Sequence, residues 1–146
     1  MRRKDRAAVV TAIELLGELR AREAAPTLVQ MLLFGKDADI HDSRMPGKQP
    51  PPPHDASPAV AALMKIGVPS LKPLTDRLVA ITTNTQDNDT LSLYCYWPVE
   101  KILGPELGKE HLMLLCKRDN RAKESEFVKI AIDFMDLVIR VKSEDK

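Results

Sequence analysis

Ala12-Ile13-Glu14-Leu15-Leu16-Gly17 is followed, after a short gap, by Ala25-Pro26-Thr27-Leu28-Val29-Gln30-Met31-Leu32. The same phrase returns as Ala62-Leu63-Met64-Lys65-Ile66-Gly67, followed by Lys72-Pro73-Leu74-Thr75-Asp76-Arg77-Leu78. A fainter copy is Val99-Glu100-Lys101-Ile102-Leu103-Gly104, followed by Leu112-Met113-Leu114-Leu115. Each copy reads as a helix, a glycine near its stop, and a second helix. One helix pair cannot bury its apolar face alone, so such units stack on their neighbours. The predicted fold class is all-α, with about seven helices in antiparallel pairs.

Outward from these phrases, helix one is predicted over 6–20, with Val9, Ala12, Ile13, Leu16 and Leu19 as its buried stripe. Gly17 sits inside that pattern, where the missing Cβ suits close approach of a neighbouring helix. Helix two starts near Pro26, a good first-turn residue, and stops at Gly35. Ser57-Pro58 reads as an N-cap and first-turn proline for helix three, which stops at Gly67. Helix four starts at Pro69 or Pro73. Helix five covers 90–103, capped from among Asp87, Asn88 and Asp89, with Pro98 a place for a kink. Helix six covers 106–118. A closing helix over 123–142 carries Phe127, Ile130, Ala131, Phe134, Leu137, Val138 and Val141 on one apolar face.

Residues 36–57 break the rhythm. Pro50 to Pro53 stand in a row, which excludes a helix interior and favours an extended polyproline segment. The expectation is an inserted loop of about 20 residues within a single domain spanning 1–146, long enough to be functional.

Composition supports one domain with a core. The 146 residues are 44% hydrophobic but only 4% aromatic, so aliphatic side chains must do the packing. Net charge is +1, from 22 basic and 21 acidic residues. That balance argues against binding driven mainly by phosphate neutralisation, although Arg2, Arg3, Lys4 and Arg6, and then Lys117, Arg118, Arg121 and Lys123, form local basic clusters. Cys95 and Cys116 make no CxxC pair and read as buried helical thiols. No stretch approaches the roughly 20 apolar residues of a membrane span. The basic N-terminus leads into a periodic helix and not a signal peptide, so a cytoplasmic location is expected. The chain also begins almost inside its first repeat, as an excised domain does.

The phrases ending Leu16-Gly17 and Ile66-Gly67, with Pro26-Thr27-Leu28 and Pro73-Leu74 opening the helices that follow, resemble HEAT repeats. They are most similar to the short bacterial HEAT-like type also found in phycobilin lyases. The resemblance covers about half the chain, since the third copy lacks the proline of the second helix. It implies a short right-handed α-solenoid, a HEAT-like superhelix of the armadillo type. It also implies a non-catalytic scaffold or protein-binding module, whose second helices build the binding surface. The polar residues there are Thr27, Gln30, Thr75, Asp76 and Arg77, with Lys109 and Lys117 on helix six.

Catalytic signals are thin. His41, Asp39 and Asp42 cluster in the insertion, with His54 and Asp55 beyond the prolines, but a mobile polar loop contains such residues without holding a metal. His111 and Cys116 are five residues apart on one helix, away from a shared stripe. No phosphate loop, dinucleotide fingerprint, HExxH or GxSxG phrase occurs. The expectation is no catalytic residue, no metal and no cofactor, with another protein as the partner. The alternatives are a nucleic-acid-binding helical repeat acting through the basic clusters, or a lyase-like or metal-binding enzyme subunit. The sequence leaves the partner's identity and the oligomeric state open.

Overall fold

In the computed structural model, which describes residues 3–35 and 51–144, the described residues form nine α-helices and no strand. Most of the 36–57 insertion, with His41, Asp39, Asp42 and Pro50, lies outside the described residues. The helices group into two compact units, Met1–Ser70 and Leu71–Lys146. The second copy of the repeated phrase is shared between them, its first half in one unit and its second half in the other.

The first unit contains α1 (Arg3–Glu18), α2 (Ala25–Val29), α3 (Pro53–Ala56) and α4 (Pro58–Ile66). α4 packs against α1, α2 and α3. Its start follows the expected chemistry: the Ser57 hydroxyl, fully buried, accepts the Val60 N–H at 3.3 Å, and Pro58 takes the first turn. Its end does too, because Gly67 leaves the helix at φ 81°, as Gly104 does later at φ 84°. Left-handed backbone of this kind favours glycine.

Copy one departs from that scheme. α1 runs through Gly17, and the chain turns three residues later at Arg20, φ 51°. The Ala21 N–H donates to the Leu16 carbonyl and the Arg20 N–H to the Gly17 carbonyl, both at 3.0 Å, which is a Schellman closure with arginine in the glycine position. Gly17 serves packing instead. A Cβ there would lie 2.8 Å from Ala62 Cα, so the backbones of α1 and α4 meet at this point. The buried residues of α1 are Ile13 and Gly17, with Val9 and Leu16 half-buried. Ala12 and Leu19, expected inside, are exposed together with Leu15. Glu18 pairs with Lys65 across the same helix pair. At the other end of α1, the Arg6 guanidinium lies 5.4 Å from the Phe34 ring centroid and donates to the Gly35 carbonyl at 3.2 Å.

Two further expectations change here. Helix two does not continue to Gly35: α2 ends at Val29, and turns over 30–33 keep Leu32 buried. Residues 51–57 are not wholly loop. Pro52 is extended, at φ −60° and ψ 154°, and Pro53 opens α3, where a missing N–H costs nothing.

The second unit contains α5 (Leu71–Ala80), α6 (Gln86–Leu103), α7 (Pro105–Arg118), α8 (Asn120–Glu124) and α9 (Glu126–Glu144). A 3-10 turn over Val68–Ser70 precedes α5, so Pro73 falls in the helix's first turn, where its N–H is not needed. α6 is capped by Thr85, whose hydroxyl accepts the Asn88 N–H at 3.1 Å, one turn before the expected start. It passes Pro98 without splitting. The expected closing helix is divided at Ser125, whose hydroxyl accepts the Val128 N–H at 3.2 Å and starts α9 afresh. α9 packs on α7, α6 and α5, with Phe127, Val128, Ala131 and Met135 buried. Gly108 of α7 lies under Met135. The Tyr96 and Phe134 rings pack tilted at 49°, with centroids 5.1 Å apart. Ile130, Leu137 and Val141, expected on the buried face, are exposed.

Candidate functional site

The apolar side of α7 sits on α9, so the opposite edge of that pair decides what the second unit can present. Met113, Cys116 and Lys117 form one stripe on α7 by their three- and four-residue spacing, and Asn120 follows it as the first residue of α8. Asp119 makes the corner between the two helices, its carboxylate accepting the Arg121 N–H at 2.9 Å. With Lys123 of α8 and Ile132 of α9 this stripe lines a groove of ≈ 470 Å³. Its apolar or weakly polar lining comes from exposed Met113 and half-buried Cys116 and Ile132. The rim is cationic, from Lys117 and Lys123, and neither makes an ion pair among the described residues. No carboxylate lines it. Burial pushes the Cys116 thiol up, while the Lys129 charge pulls it down. His111, half-buried on α7, is lowered by burial.

Such a groove offers apolar contact with anion recognition at its edge. Exposed lysine pairs are weak alone, but a charge that also buries its stem and neighbours gains from both terms. Two other depressions differ. One of ≈ 610 Å³, among α5, α8 and α9, mixes Arg121 with Glu124 and Glu126. One of ≈ 370 Å³ between α1 and α4 holds Glu14 and the Glu18–Lys65 pair.

The residues read from the sequence are scattered. Thr27 and Gln30 are exposed on and just after α2, in the first unit. Thr75 is buried, 3% exposed, and its hydroxyl donates to the Leu71 carbonyl at 2.9 Å. It cannot meet a partner, because a helical threonine satisfies itself on the preceding turn. Asp76 pairs with Lys72 at 2.8 Å, and half-buried Arg77 lends its charge to the neighbourhood of Cys95. Lys109 is held by Asp136 at 2.6 Å, tying α7 to α9. Lys117 is the residue of the seven that lines a described groove. Its companions Met113, Asn120 and Ile132 escaped the sequence reading; only the spacing of Met113 with Cys116 and Lys117 on α7 carried a signal.

His54 lies 3.4 Å from Asp55 on α3. Among the described residues no group of three or more His, Cys, Asp or Glu side chains is placed to hold a metal ion. Likewise, no helix there is long and apolar enough to cross a membrane. Compared with protein-family models, curated proteins and solved structures, the chain finds no match.

Proposed function

We propose that this chain is a non-catalytic protein-interaction module, built as a short HEAT-like stack, that holds an acidic, partly apolar segment of another protein in the α7–α8–α9 groove. The observation that carries the reading is the groove lining: apolar Met113, Cys116 and Ile132, cationic Lys117 and Lys123, and no acid among them. A partner strand or helix with carboxylates flanking an apolar side chain complements both parts.

The HEAT-like architecture is supported by the first unit. There the opening helices of successive copies, α1 and α4, pack so closely that only glycine fits at Gly17, and α2 lies against α4. It is supported also by Gly67 and Gly104, which end their helices at the same place in the phrase with the same sign of φ. The proposed setting is the cytoplasm, where free thiols such as Cys95 and Cys116 persist.

The test is capture from native extract by the wild-type chain and by Lys117→Glu/Lys123→Glu, with mass-spectrometric identification. A protein retained by the wild type and lost on charge reversal supports the reading. Retention unchanged by the reversal refutes it. Nuclease-sensitive capture that falls steeply with salt would transfer the groove to nucleic acid.

A further inference from the structure

We propose that a second copy of this chain docks antiparallel on the outer apolar stripe of α9. The stripe consists of Ile130, Phe134, Leu137 and Val141, spaced by four, three and four residues. Ile130, Leu137 and Val141 are 45%, 53% and 49% exposed, and Phe134 is held in place by Tyr96. This stripe is separate from the α9 face made of Val128, Ala131 and Met135, which is already buried within the unit. It also lies on a different side of the helix from Ile132, which faces the groove, given about 100° of turn per residue.

The occupant follows from symmetry and charge. A two-fold contact requires that the surface complement itself. The stripe does so when two copies run antiparallel about the point midway between Ile130 and Val141: Phe134 meets Leu137 of the second copy, and Ile130 meets Val141. The flanking residues at the same register are Glu126, Asp133 and Arg140, all exposed, and none makes an ion pair among the described residues. Antiparallel pairing in this register sets Asp133 beside Arg140 of the second copy, and this happens twice by symmetry, while Glu126 lies past the end of the second copy's α9. A parallel pairing would lay Glu126 against Ala131 and Asp133 against Val138, with no ion pair gained. One helix of 19 residues from each copy is a small interface, at the weak and transient end of the range.

The test is sedimentation velocity of the whole chain from about 1 to 300 µM, with circular dichroism confirming that each variant is folded. The wild type is expected to pass from monomer to dimer across that range. Asp133→Arg should weaken the dimer about tenfold, because two attractions become two repulsions, and Asp133→Arg/Arg140→Asp should restore it. Asp133→Asn should weaken it by less than Asp133→Arg does. A wild type that stays monomeric throughout overturns the proposal. So does a dimer that the double charge swap fails to restore, because its register would then be different. Capture in the groove does not depend on this stripe, so either proposal can fail alone.

Discussion

Gly17→Ala should destabilise the chain, although alanine is the better helix former. At an exposed helical position the change gains about 1 kcal/mol. Here the new Cβ falls 2.8 Å from Ala62 Cα and 2.9 Å from Ala62 Cβ, where ordinary contact begins at 3.4 Å. The obstacle is backbone and has no rotamer to change. α1 must back away from α4 by about 0.6 Å, a gap that forfeits a quarter or more of each contact's dispersion energy along the pair. Overpacking of this kind costs about 1–3 kcal/mol. The upper part of that range applies against backbone, which leaves a net loss of about 1–2 kcal/mol after the propensity gain. Urea unfolding followed at 222 nm should show a midpoint lower by about 0.5–1 M. Gly108→Ala is the internal control. Its Cβ would meet Met135 Sδ at 3.2 Å and Cε at 3.3 Å, the end of a flexible side chain that can swing aside. That variant should be unchanged or up to about 1 kcal/mol more stable. A Gly17→Ala protein as stable as the wild type, or two alanine variants that lose stability equally, would refute the reasoning.

Arg20→Gly should stabilise by about 1 kcal/mol, since it relieves a left-handed arginine at the α1 closure, and a lowered midpoint would show that the closure depends on the arginine side chain. The two thiols should separate kinetically at pH 8. Cys116 should react with an aromatic disulfide reagent in the folded protein, whereas Cys95, pushed up to about 12 by burial against the smaller opposing pull of Arg77, should react only on unfolding. Because burial lowers His111, the unfolded chain takes up its proton first. Its contribution is therefore intact above the unfolded value near 6.5 and is lost as pH falls through that value toward the folded one. His111→Gln should flatten the stability profile between pH 7 and 5.5, and an unaltered slope would assign the dependence elsewhere.

The ends of α4 and α6 were legible because nothing but the backbone decides them: an apolar helix, then a glycine at positive φ. The end of α1 was not, because the same phrase uses Gly17 for contact between helices and leaves the turn to Arg20. A sequence shows where glycine falls but not which of its two uses applies. α9 misled in a similar way. Its apolar residues form two stripes, and periodicity alone merged them into one wide face, half of which is exposed. Among the candidate contacts, Thr75 was misread because a hydroxyl suggests a polar surface, yet in a helix it can be satisfied by its own backbone and buried. Lys117 stands out in the sequence as a charge, whereas Met113 appears there only within the third repeat phrase and Ile132 carries no signal of its own. What makes them a groove is the corner at Asp119, a tertiary feature set by one side-chain cap.

The most direct measurement of the interaction reading is site-specific photocrosslinking from the groove, with benzoylphenylalanine in place of Met113, in native extract. The account predicts a discrete protein adduct that disappears when Lys117→Glu/Lys123→Glu is added, with no such adduct from the same probe at exposed Leu19 of α1. Equal adducts from both positions, or a Met113 adduct that survives the charge reversal, would contradict it.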